Sequence, residues 1–373
     1  MEATHDIRVR SAVVELQTQE EVSTGQERTM QATDQIKKSL SPLVNSMRLF
    51  GLYFSRKSRV STAATRQLSL RKCYGCWNTG RIYCTVMLAV MYANAFRHLI
   101  LFHGKDTLSV ELLLKLCLLA SLLLILVLHT AYYVASHTES LDRVFRQVNL
   151  LTADISPKYR RKAMVITLVC WTLTVSNTVL YIFPVIASGQ FTDMSMTVFF
   201  DAPPVPKPYA YIINVLFIVT DLYSTACYVF PQAMNYVVVS LLCDQFAKLN
   251  EEFSKCLGGR GEFHGNFEQF RRRHQTISHS VKEADRFLMI SNVACFCCHM
   301  LGIIVIVFCS VFYPQFTLSR GADVAFQYFF WLVINLFGLS LAAGMAISVN
   351  NKVSKPLRMF SRATAECFAR LYG

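Results

Sequence analysis

One carboxylate stands out because of where it lies. Asp221 falls inside an apolar stretch, 209–242, and no other Asp or Glu lies deep in such a stretch. A charged side chain within hydrocarbon is costly, so it faces a cavity or a partner. At helical spacing Asn214, Ser224, Thr225 and Tyr228 accompany Asp221 on one face. A second polar stripe, Thr174, Asn177, Thr178 and Tyr181, lies in the apolar stretch 164–187. Together they can line one hydrophilic cavity for a small polar molecule, with Asp221 accepting hydrogen bonds from its hydroxyls. The plainer reading is helix-to-helix hydrogen bonding by Ser, Thr and Asn. Both readings stand at this stage.

Other chemistry-bearing groups read more simply. Cys295 to His299, CFCCH, contains metal-ligand residue types, but on an apolar helix they point in different directions. Cys then acts as a small hydrophobe, and no metal site is expected. Cys73 and Cys76 form a single CxxC, a weak signal for zinc that is equally suited to acylation beside a membrane. Glu111 and Lys115 are four residues apart, a favourable helical ion pair. Arg97 can snorkel to headgroups, with His98 beside it. Neither a Gly-rich phosphate loop nor an HExxH pattern occurs. Neither catalytic residues nor a cofactor is therefore expected, and the chain does not read as an enzyme.

The elements that would position these groups are membrane helices. The 373 residues are 53% hydrophobic and only 16% charged, and mean hydropathy is +0.35. Soluble domains carry about 25% charged residues. About 20 apolar residues cross the hydrocarbon as a helix, because every backbone group must be satisfied internally there. Six such runs are present, at 82–102, 110–135, 164–187, 209–242, 287–313 and 324–349. The expected fold is all-α, a polytopic membrane protein of six helices occupying 82–349. Residues 1–36 read as a polar disordered tail without the apolar core of a signal peptide. The segment 37–81 reads as a cytoplasmic pre-span helix region. Pro184 and Pro231 are expected to kink spans three and four.

Charge gives the orientation. The net charge is +13. Thirty-two of the Lys and Arg residues fall before span one, in the loops after spans two and four, or after span six; three fall in the alternate loops. Cytoplasmic loops carry the Lys/Arg excess. Both ends of the sequence are therefore expected inside, an arrangement opposite to that of G-protein-coupled receptors. The basic excess is explained by topology rather than by nucleic-acid binding, even at Arg271–His274. The long cytoplasmic loop, 243–286, is expected to extend its flanking helices inward. Leu242, Phe246, Leu249 and Phe253 recur at helical spacing, GGRGEFHG breaks the pattern at 258–265, and Phe270, Ile277, Val281 and Phe287 resume it.

Three segments together resemble insect gustatory receptors. These are SLSPLVNSMRLFGLYF at 39–54, DQFAKLNEEF at 244–253 and FRRRHQTISHSVKEADRFLMISNV at 270–293. Span spacing and orientation over about residues 39–360 also match. The resemblance implies a seven-span chemoreceptor at the plasma membrane and a ligand-gated cation channel subunit. It would detect a small-molecule tastant and assemble as a homo- or hetero-tetramer. It also implies a seventh, pore-lining helix with a Thr-Tyr…Gln-Phe motif, which these residues lack. Residues 350–373 are accordingly expected to form a cytoplasmic tail leading toward that span, and a chain without it is not expected to conduct alone. The alternatives are a proton- or ion-coupled membrane transporter, which Asp221 and the prolines suit, and a non-conducting truncated receptor isoform. The halves, however, show none of the internal repeat common in transporters.

Overall fold

The computed structural model describes residues 36–54, 79–100, 110–150, 157–187, 207–256, 265–312 and 322–372. The described residues form, in chain order, α1 (Ser41–Leu49), α2 (Thr79–Ile100), α3 (Val110–His137), α4 (Ser140–Leu150), α5 (Pro157–Ala187), α6 (Lys207–Cys256), α7 (Phe267–Phe312) and α8 (Ala322–Tyr372). No strand occurs among the described residues. This all-helical architecture is consistent with a helical membrane protein. Five of its helices are long and apolar enough to cross a bilayer, over Leu119–His137, Tyr159–Leu180, Ile218–Cys256, Leu288–Phe312 and Ala325–Lys352. These fall on five of the six apolar runs. The remaining run, 82–102, falls on the 22-residue α2, which is not among the five.

α6 is the axis of the bundle. It packs against α5, α7, α8 and α3, and 67% of its most apolar window is buried, against 6% for α8. At 1.5 Å per residue its 50 residues span about 75 Å. That exceeds the roughly 30 Å of hydrocarbon. Pro231 lies inside it. Outward faces carry Leu168, Val311, Phe329 and Phe337, all largely exposed, as lipid-facing residues are.

The extended loop forms as the stripe predicts. α6 continues to Cys256 and α7 restarts at Phe267. Phe246, Leu249 and Ile277 bury one another, and the Phe253 and Phe270 rings meet at 5.8 Å. Asn266 caps α7 by accepting from the Gln269 N–H at 3.2 Å. The basic run has local partners. Arg271 and Arg272 donate to Glu268, Arg273 pairs with Glu252, and His274 stacks edge-on against Phe246. Those two guanidinium groups, Arg271 first, hold the Glu268 carboxyl down at about 2.

α1 is part of the core. Leu43, Val44 and Met47 are buried, and Phe50, Leu52, Tyr53 and Phe54 follow them inward. Phe50 meets Trp171 and Phe230 at ring distances of 5.2 and 5.3 Å. The helix ends in a left-handed residue, Gly51, at φ 64°. The Leu52 N–H reaches back to the Met47 carbonyl at 2.9 Å, closing the helix end. A Cβ on Gly51 would lie 2.8 Å from that of Met87, so glycine is required by space as well as by backbone. The carbonyls of this turn are read by other helices. Tyr83 donates to Leu49, and His129 Nε2 lies 3.1 Å from the Gly51 oxygen. Since a carbonyl only accepts, His129 carries its proton on Nε2, and Nδ1 is left facing the Cys227 thiol. Tyr53 and Lys37 both reach Asp142 at the start of α4.

Candidate functional site

Above this core the helices diverge around a cavity of about 330 Å³. Five helices wall it: α3 at Ser121, α5 at Asn177, α6 from Asp221 to Tyr228, α7 around Gly302 and α8 from Tyr328 to Asn335. The period of α6 makes this possible. Asp221, Ser224, Thr225 and Tyr228 are three, four and seven residues apart, which is one face. All four line the cavity.

The second predicted stripe divides. Asn177 lines the cavity and donates from Nδ2 to Thr225 Oγ1 at 2.9 Å. Thr178 donates to Asp221 Oδ2 at 3.2 Å. Thr174 is fully buried and gives its hydroxyl to the Cys170 carbonyl at 2.8 Å, so it faces its own helix rather than the cavity. The side chains of Asn214 and Tyr181 lie outside the described residues, as do those of Arg97, His98, Glu111, Lys115 and Pro184. Cys73 and Cys76 also lie outside them. One observation favours a formed site over simple interhelical bonding. Asp221 accepts from Thr178, yet it also borders open volume.

Two further groups were not singled out from the sequence. Trp331 on α8 donates from its indole N–H to Asn177 Oδ1 at 2.8 Å, connecting α8 to α5 across the cavity. His299, read only as part of an apolar run, is 1% exposed and joins three helices. Its ring lies 2.7 Å from the Tyr228 hydroxyl, 3.1 Å from Asn335 Oδ1 and 3.2 Å from Gln232 Oε1. Gln232 Oε1 and Asn335 Oδ1 are acceptors that face different ring nitrogens, while the Tyr228 hydroxyl can donate or accept. Gly338 makes room for it, since a Cβ there would fall 2.1 Å from the ring. Asn335 occupies the matching space over Gly302. A glycine on each of two facing helices was the available signal, because small residues let helix backbones approach.

Compared with protein-family models and with curated proteins, the chain matches none. The site is therefore read from its own chemistry. Its lining includes one carboxylate and no Lys, Arg or His among the described residues. Hydroxyls, two side-chain amides, two Tyr and one Trp supply the polar contacts, and Leu, Ile and Val supply the rest. Such a mixture of apolar wall and few convergent polar groups suits a small organic ligand. Among the described residues no group of three His, Cys, Asp or Glu is placed to hold a metal.

Proposed function

We propose that this chain is a chemoreceptor subunit of the gustatory-receptor type, binding a small polar tastant in the cavity walled by α3, α5, α6, α7 and α8. The observation that carries the reading is the single half-buried carboxylate bordering open volume among hydroxyl, amide and aromatic groups. The resemblance at 39–54, 244–253 and 270–293 supports the receptor class. In this reading α2 is the first of six spans, both ends of the chain face the cytoplasm, and subunits assemble as tetramers in the plasma membrane. Ligand contacts made to α8 through Trp331 and Asn335 differ between two positions of that helix, and this difference is the work available for gating.

The test uses the purified chain in lipid nanodiscs with sucrose, caffeine and bicarbonate as probes of three tastant chemistries. One of them raises the melting temperature in a saturable way. Asp221→Asn weakens that response at least tenfold, because a hydrogen bond to a charged group contributes about 1.5–3 kcal/mol and 1.4 kcal/mol is about tenfold. An unchanged response in a well-folded variant removes the cavity from the reading. Proton-driven uptake into proteoliposomes that requires Asp221, without an evoked current in cells co-expressing a seven-span subunit, establishes a transporter instead.

A further inference from the structure

A second cavity, of about 510 Å³, lies on the other side of α3, between α2, α4 and α7. Its composition changes along its length. At one end stand Arg143, Arg286 and Glu283 with the hydroxyls of Thr138 and Ser140. The remainder is apolar, formed by Leu123, Val127, Val134, Ile290 and the ring of Tyr92, each exposed to the surroundings of the protein. From Leu123 to Thr138 is fifteen residues of helix, about 22 Å, against about 15 Å for one leaflet of a 30 Å hydrocarbon core.

The polar end sits at the edge of the apolar zone. Arg286 precedes the apolar span of α7, which begins at Leu288, and Arg143 follows that of α3, which ends at His137. Two guanidinium groups face one carboxylate. Arg286 donates to Glu283 Oε1 at 3.0 Å, while Arg143 stands 3.9 Å from Oε2. One positive charge is left over. Arg143 spends part of its fork on the Thr138 carbonyl and Ser140 hydroxyl, at 3.3 and 3.2 Å. Both arginine side chains are about half exposed or more, at 49% and 68%, so donors remain free to turn outward.

We propose that this crevice binds one anionic phospholipid, its phosphodiester on Arg143 and Arg286 and an acyl chain along the α3 groove. The argument has two parts. A groove that opens sideways among lipid-facing residues is filled by a lipid tail. A residual positive charge at the membrane edge selects a headgroup of net charge −1 over a zwitterionic one. The charge distribution also assigns this end to the cytoplasmic leaflet, where anionic lipids concentrate. The site shares only α3 and α7 with the ligand cavity and does not depend on what that cavity binds.

The experiment is native mass spectrometry of the full chain titrated with phosphatidylglycerol or phosphatidylcholine. One phosphatidylglycerol survives detergent stripping, at least tenfold more tightly held than phosphatidylcholine. Arg143→Gln with Arg286→Gln abolishes that preference, whereas Arg160→Gln with Arg161→Gln, an equal loss of exposed charge on α5, preserves it. Should the arginine variant fold poorly, Ile290→Trp fills the groove with both charges kept and lowers retention of either lipid. Equal retention of the two lipids overturns the proposal. So does an equal loss in the α5 variant, which identifies diffuse attraction, or tight binding of the headgroup glycerophosphoglycerol alone, which identifies a free-phosphate site.

Discussion

Two ends of the same bundle solve opposite problems. Around α1 the helices converge on interlocked aromatic rings, and several buried polar groups pair with one another. Tyr132, for example, reaches the Pro231 carbonyl at 2.9 Å and Asn235, which donates on to Ser291 at 2.9 Å. Around Asp221 they diverge and leave volume bordered by groups with hydrogen-bonding capacity to spare. α3, α5, α6 and α7 run through both regions, so backbone type does not make the difference. Residue size and the presence of a filler do. α1 inserts Phe50 and Leu52 into the gap at one end, and among the described residues nothing equivalent enters at the other. Stability is thereby concentrated in one half and binding capacity in the other.

The sharpest way to break this contrast is to empty the filled end. Phe50→Ala is expected to cost about 3–5 kcal/mol, as large aromatic truncations in cores do. Differential scanning fluorimetry in micelles reads this as a large fall in melting temperature and a loss of monodisperse protein. Second in size is Gly338→Ala. The new methyl meets the His299 ring on a facing helix, and overpacking of this kind costs about 1–3 kcal/mol. The same measurement detects it, and the added Gly338 methyl forces α8 outward, so probe binding in the cavity falls with it. Thr178→Val removes one hydrogen bond to Asp221 at nearly constant volume. Membrane hydrogen bonds average about 0.6 kcal/mol, so the melting temperature barely moves while cavity binding responds. A melting temperature that falls as far for Thr178→Val as for Phe50→Ala erases the distinction between the two ends.

The smallest effect belongs to the paired ends of α6 and α7, around Glu252 and Glu268. Glu268 has a folded-state value of about 2, below the ordinary 4.5, because it accepts from Arg271 and Arg272. Its contribution is therefore complete above pH 4.5 and is lost as pH falls through about 2. The difference in melting temperature between the parent and Glu268→Gln is small at pH 7 and vanishes toward pH 2. A difference that grows on acidification contradicts the assignment.

Much of this was readable beforehand, and the reasons differ by region. Long apolar runs are local, so α3 and α5 to α8 follow from composition alone. The α6 face bearing Asp221, Ser224, Thr225 and Tyr228 follows from helical period, and the extension of α6 to Cys256 follows from the stripe ending at Phe253. Thr174 shows the limit of period reasoning, since Thr hydroxyls often bond their own preceding turn. His299 and Trp331 were hidden because their partners, Gln232, Asn335 and Asn177, lie 36 to 154 residues away. The burial of α1 was hidden for the same reason. The segment reads as a cytoplasmic pre-span helix, and only the fold shows that Trp171 and Phe230 are waiting for it.

That last contact has a consequence during synthesis. Phe50 leaves the ribosome about 180 residues before Phe230, its partner in the core. At about 5–20 residues per second the interval is on the order of 10–40 s. Throughout it an apolar helix has no site to occupy, because the pocket that receives it is assembled from segments not yet translated. The docking of α1 thus waits for α5 and α6, whose Trp171 and Phe230 receive Phe50, and precedes the synthesis of α7 and α8.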